Sequence, residues 1–341
     1  MRAAITDAKA SIRVVEVPDP GSPGPGDVLV RPEAVGLCGS DFHYFLGDIG
    51  LEMQLFPRIQ GHEAAGVIEE LGPHCPPGLA VGGRVAIWPL VACGSCYPCR
   101  IGRHNVCANI NLVGVHRDGA LQEHLLLPAA QVFPVDSDDS ALAALIEPVS
   151  IAIQAVKRGR IAAGEKVVVF GAGPIGQSIA VAAADRGASV LLLDRVERRL
   201  AFAAASGADT LQVESAEHAV AAAREWAGGD GPEAVFEATG VPELARPAVE
   251  LVANAGRVVI VGLSHTDAPL RIGDLAFKEL DLLGVSCCDA VGFAEAVALV
   301  ARSEAALRGL VTHEFGLEQA PEAMVYAMEH PAEVMKAVIR V

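Results

Sequence analysis

Hydrophobic and polar positions alternate in the first part of the chain. Residues 27–33 are Asp-Val-Leu-Val-Arg-Pro-Glu, and a cluster of Pro, Gly and Ser precedes them at 20–26. This is the pattern of a half-buried strand that follows a turn. Strand patterns recur at 61–68 and 82–86, so we expect a first domain that is rich in strands and loops.

Beyond residue 165, short apolar runs alternate with helical patterns. Lys166–Phe170 is a β-branched apolar run, which is typical of a strand buried in a parallel sheet. Further strands are predicted at 189–193, 233–237, 256–262 and 279–284. One helix is predicted to end at residue 186, and two others are predicted at 216–227 and 242–253. This alternation predicts an α/β domain with a doubly wound parallel sheet of the Rossmann type.

Other patterns flank this α/β segment. Residues 140–146 and 151–158 are predicted to be helical, and Glu147-Pro148 between them is predicted to break the helix or open a turn. Helices are also predicted at 293–303 and 321–330, and a closing strand at 335–341.

Length and charge limit the possible functions. A chain of 341 residues is too long for one core, so we expect two domains. The net charge of −16 repels polyanions, so we expect neither a nucleic-acid nor a membrane partner. The N-terminus lacks a signal-peptide pattern and the apolar runs are too short to span a bilayer, which favours the cytoplasm. Eight cysteines in such a chain indicate metal binding or catalysis before disulfides.

Residues 35–44 place a thiol, a hydroxyl and an imidazole close together, at Cys38, Ser40 and His43. Thiolate and imidazole are both zinc ligands, and Ser and His can pass a proton. A lone Cys beside glycines is also a common small buried residue. His62-Glu63 and Glu147 favour the reactive centre, because they add an imidazole and two carboxylates that the fold can bring to Cys38.

A second group of cysteines has regular spacing, at Cys93, Cys96, Cys99 and Cys107. Four thiolates on one loop form a closed tetrahedral zinc site that stabilises the loop and leaves no position for substrate. A redox pair or disulfides are the alternative, which the C-x2-C-x2-C-x7-C spacing disfavours.

The run 171–176, Gly-Ala-Gly-Pro-Ile-Gly, lies between a predicted strand and a predicted helix. In that context its glycines allow a tight turn and the approach of a pyrophosphate to the helix N-terminus. A glycine-rich structural turn is the alternative. Asp194 ends the next strand, where a carboxylate binds the ribose hydroxyls and favours NAD over NADP. Arg195 beside it leaves NADP open, since a guanidinium pairs with phosphate.

These motifs occur in an order and spacing that resemble the zinc-dependent medium-chain dehydrogenases across essentially the whole chain. The polyol branch, with sorbitol and xylitol dehydrogenases, is the most similar, because Glu63 follows His62 and Glu147 stands where ethanol-type members have a Cys ligand. The resemblance implies a GroES-like catalytic domain from 1–147 and 285–341 and a Rossmann domain from 148–284. It also implies a homodimer or homotetramer with NAD and two zinc ions per chain.

The resemblance also implies roles for individual residues. Cys38, His62 and Glu63 correspond to catalytic zinc ligands, and Glu147 to a fourth ligand or a partner of the zinc-bound water. Ser40 and His43 match a proton relay, and Tyr44 a substrate-side position. The expected NAD contacts are Gly171, Gly173, Pro174, Ile175, Gly176, Asp194, Arg199, Gly262 and Leu263. His43 as a loop residue and Tyr44 as a packing residue remain the alternatives, and the other histidines, His265 among them, are expected on the surface or in packing.

The substrate is less defined than the reaction. Polyol dehydrogenases of the animal type carry an Arg-Tyr pair just past the last Rossmann strand, whereas this chain has Gly-Val-Ser-Cys-Cys-Asp at 284–289. The missing pair argues against sorbitol as the substrate but leaves the reaction type unchanged. We expect a secondary alcohol, a polyol or related sugar alcohol, oxidised with NAD. A threonine-type amino alcohol and a sugar acid are the alternatives, and a non-catalytic NAD-binding protein is a third.

Overall fold

The structure is a computed structural model, and it describes residues 1–48, 55–264 and 266–341. Its contacts divide the chain into unit 1, Met1–Glu147 with Cys288–Val341, and unit 2, Pro148–Cys287. The sequence places the second boundary at 284/285, where the last predicted strand ends. In the structure the connecting residues up to Cys287 belong to unit 2. His265 lies outside the described residues.

The described residues contain strands in both units. They are β1 (Arg2–Ala8), β2 (Ser11–Glu16), β3 (Asp27–Gly36), β4 (Arg58–Ile59), β5 (Glu63–Leu71), β6 (Arg84–Ile87), β7 (Leu90–Val91), β8 (Asn111–Leu112), β9 (Leu125–Pro128), β10 (Val132–Pro134), β11 (Lys166–Phe170), β12 (Ser189–Asp194), β13 (Asp209–Gln212), β14 (Ala234–Glu237), β15 (Arg257–Ile260), β16 (Asp281–Gly284), β17 (Val311–Gly316) and β18 (Lys336–Arg340).

The α-helices lie between these strands. They are α1 (Gly39–Leu46), α2 (Tyr97–Arg100), α3 (Ser140–Ala144), α4 (Ile146–Arg158), α5 (Pro174–Asp185), α6 (Glu197–Leu200), α7 (Ala216–Trp226), α8 (Ala245–Leu251), α9 (Ile272–Phe277), α10 (Ala290–Arg302), α11 (Glu304–Leu307) and α12 (Ala320–Glu329).

Unit 1 is built on mostly antiparallel sheets. The larger sheet has seven strands in the order β10-β6-β5-β3-β18-β17, with β9 also paired to β3, and a smaller sheet has the order β2-β1-β4. In the larger sheet Gly36 pairs with Glu63 on one side and with Val338 on the other. Because β3 lies between β5 and β18, strand ends far apart in sequence meet beside Gly36.

Unit 2 contains a six-stranded sheet in the order β13-β12-β11-β14-β15-β16, in which every pair is parallel. This confirms the predicted doubly wound α/β fold. The strand order reverses at β11, which pairs with β12 on one side and β14 on the other. Ligands of such sheets bind at the carboxyl ends of the strands at this reversal.

The hydrophobic pattern agrees with the burial in both units. In unit 1 the alternating residues Val28 and Val30 are fully buried in β3. In unit 2 consecutive residues Val167, Val168 and Val169 are buried, as expected for a strand covered on both faces. The strand β13 and the helix α9 were not predicted, because their sequences show no clear period.

The prediction of a helix break at Glu147-Pro148 is wrong. Both residues lie in the first turn of α4, where a proline is tolerated because its missing N–H would have no partner. The stretch Ser140–Arg158 is long and apolar enough to cross a membrane, and 89% of its most apolar window is buried inside the protein. A core helix passes the same test, so this stretch is weak evidence for a membrane span.

Candidate active site

Three of the predicted ligands lie together in unit 1. Cys38 follows β3 and precedes α1, His62 precedes β5, and Glu63 begins β5. One ligand atom from each lies within 4.8 Å of the others. His62 and Glu63 are buried, and His62 Nδ1 has no hydrogen-bond partner although it is buried. A half-buried thiol beside a buried imidazole and a buried carboxylate forms a donor set that fits zinc.

Asp41 supports this cluster from α1. Its Oδ2 accepts a hydrogen bond from the backbone N–H of Cys38 at 2.9 Å, and its Oδ1 lies 3.8 Å from His62 Nδ1. The side chain of Gln60 donates to Asp41 Oδ1 at 3.2 Å. At 3.8 Å the carboxylate of Asp41 acts on the His62 ring through its charge and not through a hydrogen bond. Asp41 was not predicted as part of the site, although an acid three residues after a helix N-cap is a local signal in the sequence.

The charges around His62 determine the direction of its pKa shift. Burial by itself would lower the pKa of His62, but the neighbouring acidic groups Asp41, Cys38 and Glu147 raise it well above its usual value. So many acidic groups around one imidazole attract a cation. A divalent metal ion would balance the same negative charges and leave the imidazole neutral.

Lys336, the first residue of β18, was not singled out in the sequence. Its Nζ donates to both carboxylate oxygens of Glu63, at 2.6 and 2.7 Å, and to the backbone oxygen of Leu37 at 3.1 Å. Burial lowers the pKa of Lys336, but the charges of Glu63 and Cys38 outweigh it and raise the pKa overall. No local pattern could have found Lys336, because it depends on the pairing of β18 with β3.

Glu147 lies close to the cluster but outside the group of three ligand atoms. It is buried in the first turn of α4, and it interacts electrostatically with His62, Glu63 and Lys336. Burial raises the pKa of Glu147 to about 7. The geometry therefore leaves both sequence-based roles of Glu147 open, ligand or partner of a bound water.

The remaining predicted residues of unit 1 lie on α1. Ser40 is half-buried in its first turn. His43 Nδ1 lies 2.9 Å from Asp48 Oδ1, and both side chains are exposed. Tyr44 is buried, and its hydroxyl donates to the backbone oxygen of Leu55 at 2.6 Å. This geometry favours the packing role of Tyr44 and gives His43 a carboxylate partner.

The four regularly spaced cysteines also lie together. The sulfur atoms of Cys93, Cys96, Cys99 and Cys107 lie within 4.8 Å of one another. Cys96 Sγ is 3.4 Å from Cys99 Sγ and 3.8 Å from Cys107 Sγ. Tetrahedral Zn–S bonds of about 2.3 Å separate sulfurs by about 3.8 Å, whereas a disulfide needs about 2 Å. Hydrogen bonds, first that of the Ser95 backbone N–H, lower the pKa of Cys93 to about 5, whereas burial raises the pKa of Cys99 to about 12. The assignment of four zinc ligands therefore rests on the spacing of the sulfur atoms.

The glycine turn of unit 2 joins β11 to α5. Gly171 has φ +98°, and a Cβ there would lie 2.7 Å from Thr239 Cγ2. A Cβ on Gly176 would collide with the backbone oxygen of Gly171. A Cβ on Gly173 would meet nothing within 4 Å, so the space in front of the helix N-terminus is open there. Pro174 and Ile175, half-buried in the first turn of α5, flank this space.

Asp194 and Arg199 lie beside this turn. Asp194 ends β12 and accepts hydrogen bonds from the backbone N–H groups of Ala172 at 2.7 Å and Val196 at 2.8 Å. Arg199 Nη1 is 3.9 Å from Asp194 Oδ2. The carboxylate is thus fixed next to the open space at the carboxyl end of the sheet.

Gly262 and Leu263 follow β15. A Cβ on Gly262 would collide with the backbone of Gly240, and Leu263 is 72% exposed. Glu237, buried at the end of β14, accepts hydrogen bonds from the N–H groups of Thr239 and Gly240 and fixes this corner. Sequence patterns predicted Glu237 only as part of a strand.

Two family models match consecutive parts of the chain. The model of the alcohol dehydrogenase GroES-like domain matches residues 24–137, and that of the zinc-binding dehydrogenase matches residues 174–302. The chain is 35% identical to L-galactonate-5-dehydrogenase of Escherichia coli K12, over 93% of this chain and 92% of that protein. It is 36% identical to sorbitol dehydrogenase of Rattus norvegicus, over 94% of this chain and 90% of that protein.

Solved structures are similar over the whole chain. A short chain alcohol dehydrogenase of Escherichia coli CFT073, complexed with NADH, has a TM-score of 0.88 and 29% identity, and covers 100% of this chain and 99% of that one. A putative zinc-binding dehydrogenase of Sinorhizobium meliloti 1021, bound to NADP, has a TM-score of 0.90 and 30% identity, with the same coverage.

Proposed function

This chain belongs to the family of zinc-dependent alcohol dehydrogenases, and from that premise we propose that it oxidises a secondary alcohol of a polyol or related sugar alcohol with NAD. Membership of the family makes the chain an oxidoreductase that acts on a CH–OH group with zinc and a nicotinamide cofactor. The identity of the alcohol, the choice of NAD and the residue roles are the proposal.

One observation carries the proposal, the cluster of half-buried Cys38 with buried His62 and Glu63. These three side chains would hold the catalytic zinc, with the negative charge of Asp41 3.8 Å from His62 Nδ1. Zinc, when bound, is a Lewis acid that lowers the pKa of an alcohol oxygen. Ser40 Oγ would accept the hydroxyl proton and pass it toward His43 or a ribose hydroxyl.

Unit 2 would bind the cofactor at the carboxyl end of its sheet. The open space at Gly173 and the N-terminus of α5 suit a pyrophosphate. Asp194 would accept hydrogen bonds from the adenosine ribose and repel a 2′-phosphate, which favours NAD. Arg199 Nη1 lies 3.9 Å from Asp194 Oδ2 and would help hold the carboxylate in place.

The cysteine loop would hold a second zinc ion. Its four thiols are assigned to one tetrahedral site with no vacant position. The proposed content is therefore two zinc ions per chain, and removal of this second ion would destabilise the loop around α2 without taking a group from the catalytic cluster.

A sugar acid is the second candidate substrate, and a specific feature favours it. At 284–289 the chain lacks the Arg-Tyr pair of animal polyol dehydrogenases, and its relatives include L-galactonate-5-dehydrogenase at 35% identity. Threonine-type amino alcohols are a weaker alternative, from the 33% identity to L-threonine 3-dehydrogenase of Pyrococcus horikoshii over 80% of the chain. A non-catalytic NAD-binding role is disfavoured, because Cys38, His62 and Glu63 are kept together.

The proposed setting is a cytoplasmic homodimer or homotetramer with small-molecule partners. Unit 2 exposes large apolar side chains, Ile272 by 78% and Phe277 by 90%, near the edge strand β16. A second copy of the chain would cover such residues. The net charge of −16 opposes nucleic acid and anionic membranes as partners.

A substrate screen combined with one variant tests the proposal. NADH absorbance is followed with sorbitol, xylitol, L-galactonate and L-threonine, with NADP in parallel. We expect turnover of at least one polyol or sugar acid with NAD, and loss of more than about 99% of it in Cys38→Ser. Cys75→Ser is the matched control, because this half-buried thiol of unit 1 lies outside the cluster. Full activity in Cys38→Ser would refute the ligand assignment.

A further inference from the structure

The buried ion pair between Lys336 and Glu63 has no place in the proposed reaction. The side chains are 5% and 2% exposed. The ammonium group has three donors, and the two oxygens of Glu63 and the oxygen of Leu37 accept all of them. A buried charge with complete hydrogen bonding is held in one geometry.

The backbone confines the other side of the Glu63 carboxylate. Gly36 pairs directly with Glu63 across β3 and β5, and a Cβ on Gly36 would collide with Glu63 Oε2. Gly36 does not have a positive φ, so this glycine serves the close approach. Lys336 and Gly36 together therefore fix where the carboxylate lies.

The charges of the site give this arrangement a consequence. Cys38, Glu63 and Glu147 are three acidic groups around a position for one divalent cation, and all three interact electrostatically with Lys336. With all three ionised, a zinc ion would be over-neutralised and a weak Lewis acid. The ammonium group offsets one negative charge and draws electron density from Glu63.

We propose that Lys336 is a positioning residue that shares the Glu63 carboxylate with the catalytic zinc, so that Glu63 holds the ion less tightly and leaves it more electrophilic. The proposal rests on the zinc-dependent oxidation argued above. In this proposal Lys336, the first residue of β18, determines how tightly Glu63, the first residue of β5, holds zinc.

The test compares Lys336→Met, Lys336→Arg and Arg340→Met. Arg340→Met is the matched control, because Arg340 lies on the same strand and forms an ion pair with Glu314 outside the site. Two quantities are measured on the full-length holoenzyme, the rate of zinc release to a chromogenic chelator and kcat. The catalytic ion is identified as the one that Cys38→Ser lacks.

In Lys336→Met we expect zinc release to slow by about tenfold while kcat falls by about tenfold. Lys336→Arg restores both to within about threefold, because it keeps the charge, and Arg340→Met behaves as the wild type. A purely structural role would accelerate zinc release while kcat falls, and that result overturns the proposal, as does an unchanged release rate.

If Lys336→Met fails to fold, Glu63→Gln and Glu63→Gln/Lys336→Met replace it. The amide oxygen introduced by Glu63→Gln still accepts a hydrogen bond from Lys336, and the double variant leaves no buried charge at this pair. Equal zinc release in these two supports action through Glu63, and unequal release overturns it. Failure of the proposed function is recognised separately, because a zinc-loaded wild type would then oxidise none of the alcohols while the release rates are still measured.

Discussion

Alanine substitutions at Gly173 and Gly176 would separate the binding role of the glycine turn from its folding role. A Cβ on Gly176 would come far closer than 3.0 Å to the backbone oxygen of Gly171, and a backbone atom cannot move aside as a side chain does. A Cβ on Gly173 would meet nothing within 4 Å, and Gly173 has φ −70°, which any residue adopts. Gly176→Ala therefore disturbs the protein, whereas Gly173→Ala only fills the space in front of α5.

The two variants should differ in stability. Gly176→Ala must open the turn by more than about 1 Å, which costs about 1–3 kcal/mol of unfolding free energy. Gly173→Ala should be stable to within about 1 kcal/mol of the wild type, because the entropic gain of alanine opposes the lower preference of alanine for the N-cap position that Gly173 occupies. For cofactor binding, the methyl group of Gly173→Ala occupies the space that a pyrophosphate has to enter, so we expect a loss of at least about tenfold, or 1.4 kcal/mol.

Titration of NADH fluorescence measures the affinity, and urea unfolding measures the stability. Gly284→Ala is the matched control, because it lies in unit 2, has no positive φ and has open space around its Cβ. Gly173→Ala should lose affinity without losing stability, and Gly176→Ala should lose both. NADH binding by Gly173→Ala at the wild-type affinity would show that the pyrophosphate does not lie at this turn.

Two further predictions concern the cofactor and the cysteine loop. Asp194→Ala should weaken NAD more than NADP, so the ratio of their kcat/KM values falls by about tenfold; an unchanged ratio would place discrimination elsewhere. Cys107→Ser should lower the zinc content from about two to about one ion per chain and lower Tm, while NADH binding persists in unit 2. Metal analysis and thermal unfolding measure the effect, and an unchanged zinc content would refute the four-thiol site.

The sequence predicted what local patterns encode. The strand β11, the glycine turn and Asp194 follow one another within 30 residues, so their geometry depends on one strand-turn-helix unit and the next strand. The cysteine loop was predictable for the same reason. The break at Glu147-Pro148 was a local inference too, and it failed because the first turn of a helix accepts a proline that its interior would reject.

The long-range partners were not predictable, and they decide how the cluster in unit 1 behaves. Cys38 and His62 carry a recognisable ligand chemistry wherever they occur, whereas Lys336 is an ordinary lysine until the register of β18 with β3 brings it to Glu63. Asp41 shows the intermediate case, because its cap position is local but its contact with His62 is not. A sequence can thus name the groups that hold a metal ion, while the charge that those groups leave on the ion depends on strand pairing. For this reason substitutions at partners such as Lys336 are expected to change the reactivity of the site more than its identity.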